Sequence, residues 1–127
     1  MFENLDVFTI SSAMAKHAGQ RQALISQNVA NADTPGYVAR DLAAFETTYE
    51  TNNSVGQRAT RSGHLNGATM PGSGAVISQR GSASPDGNTV SIEQEMLKAT
   101  DTIRQHDRAL AIYKSALGIL RTSLGRR

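Results

Sequence analysis

A chain of 127 residues can make one domain, but only 39% of it is apolar, 5% is aromatic and tryptophan is absent, so any core is thin. Thirteen Lys and Arg against eleven Asp and Glu leave a net charge of +2, a balance that does not imply nucleic acid. The lack of cysteine excludes a disulfide framework and a thiolate metal site. Glu3 and Asp6 stand where a secretory signal carries positive charge, and no apolar run suits a signal core or a membrane span. A protein of this kind working outside the cytoplasm is expected to leave by a route that reads no cleavable signal.

Residues 5–32 predict a long helix, with Val7, Ile10, Met14, Ala18, Ile25, Val29 and Ala32 roughly on one face and Leu24 beside it. Arg21 and Asn28 interrupt that face. Gly19 costs about 1 kcal/mol relative to alanine inside a helix. Close packing of another helix and a tolerated surface position are both open readings for it and for Gly118. The helix is expected to stop at Asp33 to Gly36, because Pro35 disfavours a helical Thr34 and Gly36 offers the positive φ of a turn. Asn28 and Asn31 share one face of the last turn. They are expected to hydrogen-bond across packed helices, and the competing reading is a polar last turn ahead of an ordinary Pro-Gly turn.

Residues 37–89 read as a flexible middle segment. Between Thr51 and Thr89 lie seven of the eleven glycines and two of the three prolines, without an aromatic residue, and such a stretch buries little. Val76 and Ile77 suit one short strand, and Asp86-Gly87-Asn88 suits a turn.

From Ser91 onward a second helix is expected, with Ser91 as N-cap and Gln94 three residues on. Its apolar row is Ile92, Met96, Ala99, Ile103, His106, Leu110, Tyr113, Leu117, Leu120 and Leu124, a narrow seam in 4-3-4-3 spacing that needs a partner helix. Glu93 and Glu95 at the start and Arg121, Arg126 and Arg127 at the end complement the helix dipole. Glu95 with Lys98 and Asp101 with Arg104 form favourable pairs on what reads as a solvated face. The economical fold is mainly α. The N-terminal helix and turn (1–36) and the C-terminal helix (90–127) pair as an antiparallel coiled coil, joined by a glycine-rich, largely irregular middle (37–89). A lone pair of this kind is marginal, which favours assembly.

Residues 28–41, NVANADTPGYVARD, closely resemble the N-terminal signature of the bacterial flagellar rod, hook and filament-junction proteins. The motif residues are Asn28, Asn31, Ala32, Asp33, Thr34, Pro35, Gly36 and Tyr37, and the following Ala39, Arg40 and Asp41 narrow the likeness to proximal rod members. DGNTVSIEQEM at 86–96 is similar to the segment leading into their C-terminal helix, and TRSGHL at 60–65 is a weaker match. The resemblance implies a structural subunit of the proximal rod, polymerising through its terminal helices as part of the motor drive shaft. The apolar row of the C-terminal helix, Ile92, Met96, Ile103, Leu110, Tyr113, Leu117, Leu120 and Leu124, is the expected seam for assembly. The partners implied are further copies, other rod proteins, the rod-to-ring adaptor FliE, the MS-ring protein FliF and the flagellar type III export apparatus, with no nucleic acid and no membrane insertion. The location implied is the periplasmic rod of the basal body. A cytoplasmic coiled-coil adaptor or export chaperone is the alternative.

Chemistry is not expected. His17, His64 and His106 lie in separate segments without metal-ligand spacing, and no nucleophile elbow, P-loop or paired acid is present. A hydrolase using His64 with a loop serine is the remaining enzymatic reading. No catalytic, metal or cofactor site is therefore expected.

Overall fold

The computed structural model describes residues 3–53, 74–79 and 83–125. The elements are α1 (Glu3–Ala30), β1 (Arg40–Leu42), α2 (Phe45–Asn53), β2 (Val76–Ser78) and α3 (Ile92–Leu124). The Ser91 side chain accepts from the Gln94 N–H at the start of α3, and the Gly125 N–H bonds the Arg121 carbonyl at its end. Both long helices stand where the apolar periodicity placed them.

α1 and α3 pack on each other. Asn28, near the end of α1, bonds Glu95, near the start of α3, while Phe8 meets Tyr113 edge-on with ring centroids 5.1 Å apart. The pair therefore runs antiparallel. On α1 the buried positions include Ala13, Ala18 and Ile25, whereas Val7 and Val29 of the expected face are exposed. On α3 the buried row is Glu95, Thr102 and Ala109, at a seven-residue spacing. The large apolar residues expected to line this contact are mostly elsewhere: Ile92, Met96, Ile103, Leu110, Tyr113 and Leu124 are exposed, and Leu117 and Leu120 are half-buried. The inward row is shifted by one residue, which turns the contacting face by about 100°. Small Thr102 and Ala109 let the helices approach, and Glu95 enters only because hydrogen-bond donors surround it.

Between the helices the chain folds more than its composition suggests. β1 and β2 pair antiparallel in the register Arg40 to Ser78, Asp41 to Ile77 and Leu42 to Val76. The short strand expected at Val76 and Ile77 is thus present, and β1 is an addition. So is α2, within the segment read as irregular, where Phe45 and Tyr49 sit one helical turn apart with centroids at 5.7 Å. The buried His17 ring meets Phe45 edge-on at 5.6 Å, and its Nε2–H donates to the Ala43 carbonyl at 2.9 Å. That bond fastens α1 to the chain between β1 and α2. A side chain at Gly74 would lie 3.2 Å from this ring, so the close approach there favours glycine.

Gly19 and Gly118, by contrast, have nothing within 4 Å of the place a β-carbon would take, so neither serves close helix packing. The expectation of mobility for the middle falls largely on 54–73 and 80–82, outside the described residues, as do His64 and the 60–65 segment.

Candidate functional site

Both sequence motifs fold into one clasp at the end of the helix pair. α1 ends at Ala30, and the turn that follows brings the carbonyls of Asn31, Ala32 and Thr34 together, the first and last of them also accepting the turn N–H groups of Thr34 and Tyr37. Asn88 supplies them with a donor: its Nδ2 lies 3.0, 2.7 and 2.9 Å from the carbonyls of Asn31, Ala32 and Thr34, while its Oδ1 accepts from the Val90 N–H at 2.8 Å. Gly36 donates its N–H to the Asp86 carbonyl at 3.0 Å, and Thr89 N–H bonds the Tyr37 carbonyl at 3.0 Å. Gly36 and Gly87, at φ +72° and +82°, pass each other at backbone distance. A β-carbon is unfavourable at either torsion, which explains glycine at both turns.

Behind this turn Asn28 is fully buried and fully used. Its Nδ2 donates to the Arg40 carbonyl at 2.7 Å and to Glu95 Oε2 at 3.0 Å, and its Oδ1 accepts from the Arg40 N–H at 3.1 Å and the Tyr37 hydroxyl at 3.3 Å. Glu95, 2% exposed, passes the chain of bonds to Lys98 at 2.6 Å. Lys98 also donates to Gln79 and lies 4.0 Å from Asp41. Arg21 grips both Asp41 oxygens, at 2.8 and 2.9 Å, and the Leu42 N–H donates to the same carboxylate at 2.8 Å. Two carboxylates and two cations thus share one interior cluster with zero net charge. Such a cluster is tolerated only because each charge is both paired and hydrogen-bonded.

Burial alone would raise the Asp41 pKa, but the hydrogen bonds and charge of Arg21 outweigh it and hold the carboxyl below its ordinary range, with the Leu42 N–H and Lys98 adding to the effect. The same hydrogen bond raises Arg21, against an opposing effect of its own burial.

The motif residues divide into two groups. Asn28, Gly36 and Tyr37 make side-chain or turn contacts inside the clasp, and Ala32 and Thr34 lend it their carbonyls. Asn31 does not reach across the helices as expected. Its amide donates to the Gln27 carbonyl one turn back at 2.8 Å, on the surface, and its Oδ1 receives the Thr34 hydroxyl at 3.4 Å. Asp33 and Pro35 are exposed. Glu95 and Lys98 do pair, but in the interior rather than on a solvated face, because Asn28 and Gln79 provide their remaining bonds. The Asp101–Arg104 pair is on the surface at 3.8 Å.

The cluster of Arg21, Asp41, Gln79, Glu95 and Lys98, and the part played by Asn88, go beyond what the sequence pattern predicts. The signal the sequence does hold is polar Arg21 and Asn28 at core positions of α1, facing an acidic residue next to the apolar row of α3. His106 lines a groove of about 280 Å³ with Ala18, Gly19, Gln22, Thr102 and Ile103. Among the described residues no group of three His, Cys, Asp or Glu is placed to hold a metal ion, and no helix is long and apolar enough to cross a membrane.

A site made of interlocked turns and a neutral ion cluster is a joint. It sets the register of two chain ends and leaves large apolar side chains of α3 on the outside, an arrangement suited to a structural protein. Residues 9–37 match the family described as Flagella basal body rod protein. Similar proteins include the flagellar basal body rod protein FlgB of Agrobacterium fabrum, 30% identical with 87% of each chain covered. FlgB of Buchnera aphidicola is 27% identical, covering 92% of this chain and 93% of the relative, and FlgB of Salmonella typhimurium is 30% identical, covering 77% and 78%. The chain belongs to the FlgB family of flagellar basal body rod proteins, a structural family.

Proposed function

We propose that this chain is a subunit of the proximal rod, polymerising through its two terminal helices into part of the motor drive shaft. The observation that carries the reading is the outward apolar row of α3. Met96 is 65% and Ile103 53% exposed in the single chain, although the same helix buries Glu95 and Thr102. Side chains of that size on the outside of a thin-cored protein are accounted for by neighbouring subunits. In this reading 1–36 and 90–127 together form the rod domain, an antiparallel coiled coil, and 37–89 is the segment between. Ile92, Met96, Ile103, Leu110, Tyr113, Leu117, Leu120 and Leu124 then provide contacts to neighbours. The neighbours are further copies and other rod proteins, with FliE and FliF where the rod meets its ring. Delivery to the periplasmic rod is through the type III export apparatus.

The test uses Ile103→Asp in cells lacking the native copy. Ile103 is half exposed, so a charge there can reach solvent and circular dichroism should be largely unchanged while incorporation into purified basal bodies and swimming are lost. Thr122→Ala, on an exposed position outside the row, should be incorporated normally. Normal motility of the Ile103 variant, or recovery of the native protein from cytosol alone, would refute the reading.

A further inference from the structure

The two edges of the small sheet are finished differently. On β1 the outward N–H and C=O of Arg40 are both taken by the Asn28 carboxamide, at 3.1 and 2.7 Å, and the Leu42 N–H by Asp41 at 2.8 Å. Side chains therefore close that edge, with Asn28 bonding Arg40 as a neighbouring strand would. On β2 the pairing runs the other way. The Ala43 N–H bonds the Ala75 carbonyl at 3.0 Å and the Gln79 N–H bonds the Ala39 carbonyl at 2.8 Å. Ladder alternation then turns the backbone groups of Ala75, Ile77 and Gln79 toward β1 and those of Val76 and Ser78 away from it. Among the described residues these outward groups have no hydrogen-bond partner, and the Val76 and Ile77 side chains are 55% and 48% exposed. An edge in this condition is a template for another strand.

We propose that the outer edge of β2 pairs antiparallel with β2 of a second copy of this chain, with Ile77 opposite the same residue of that copy. The edge is self-complementary: a pair centred on Ile77 sets Val76 against Ser78, both with backbone groups turned outward, so hydrogen bonds form on each side of the centre. Charge does not oppose the contact, because Ala75-Val76-Ile77-Ser78-Gln79 carries none. The gain is cooperative as well, since a two-stranded sheet is marginal in water and the union has four strands. Three residues of edge bury far less than the roughly 1,200–2,000 Å² of a stable interface, so the pairing is weak in free solution. It does not depend on the helix contacts proposed for the rod.

The chain has no cysteine, so Ile77→Cys carries a single thiol. Centred pairing puts two such thiols at a non-hydrogen-bonded position, with Cα atoms about 4.5 Å apart, within disulfide reach. With oxidised glutathione as the oxidant, Ile77→Cys should form dimer on the order of tenfold faster than Val38→Cys, an exposed control, because pairing raises the local thiol concentration. Ile77→Lys and Ile77→Glu should each sediment as monomer at concentrations where the native chain self-associates, and an equimolar mixture should associate again. Circular dichroism checks that each variant keeps its helices. Equal cross-linking rates, no association in the mixture, or cross-linking of Ile77→Cys only inside assembled rods would overturn the proposal. Ile103→Asp should leave this cross-linking unchanged, which separates its failure from that of the rod interface.

Discussion

Replacing Asn28 with leucine tests the clasp most directly, because the two side chains are close in size and only the bonding differs. The substitution strands the Arg40 N–H and C=O and removes one donor from buried Glu95. Each buried polar group left unpaired costs about 1–3 kcal/mol, and burying the leucine returns about 1.5–3 kcal/mol. The expected net loss is about 2–5 kcal/mol, a large share of the ~5–15 kcal/mol available to an ordinary domain. The measurement is a urea titration of the free chain followed by helical circular dichroism, with hydrogen exchange at the Arg40 amide as a local probe. Asn31→Leu is the control: its bonds are to Gln27 and Thr34 at the surface, so it should cost no more than about 0.5 kcal/mol. Equal effects at the two asparagines, or a loss at Asn28 below about 1 kcal/mol, would refute the assignment of the motif to an interior joint.

Acid should loosen the same joint. Asp41 has a folded-state pKa below its ordinary 3.8, so its stabilising contribution is complete above that ordinary value and is lost as pH falls through the lower folded value. Asp41→Asn should flatten this acid limb of the stability curve below about pH 4. Glu95→Leu leaves Lys98 without its closest carboxylate and should cost about 3–5 kcal/mol, whereas Asp101→Ala, which breaks only an exposed pair, should change urea stability by less than about 0.5 kcal/mol. Gly19→Ala fills open space on a helix and should stabilise the chain by about 1 kcal/mol in the same titration, while Gly36→Ala, forced to positive φ, should destabilise it by about 1–2 kcal/mol.

The parts of this fold that are legible in the sequence are those specified locally. The two long helices, the Ser91 cap, the turn at Pro35-Gly36, the second turn at Asp86-Gly87-Asn88 and the strand at Val76 each follow from residues within a few positions of one another. What is not legible depends on pairing across the chain. The large apolar row of α3 is expected to face α1, since burial is the usual use of such a row. The contact instead goes to Glu95, Thr102 and Ala109, and nothing local distinguishes a row meant for the same chain from one facing outward. Arg21 and Asn28 read as interruptions of α1 because their partners, Asp41 and Glu95, belong to other segments. α2 has a faint signal, Phe45 and Tyr49 one turn apart, outweighed by the glycine-rich composition downstream.

The clasp also fixes an order of events in folding. Asn28 meets Glu95 across 67 positions, and the Asn88 amide reaches carbonyls 54 to 57 positions back. Closing loops of that length is entropically costly before any contact returns free energy, so the joint belongs late on the folding path. A chain that emerges N-terminus first, from a ribosome or any narrow passage, can join Asn28 to Arg40 and Arg21 to Asp41 early, but leaves the bonds of Glu95 and Asn88 unmade until the start of α3 has followed it out. Until that moment the first helix lacks its main packing partner, and contacts 9 to 26 positions apart are what hold the emerging chain.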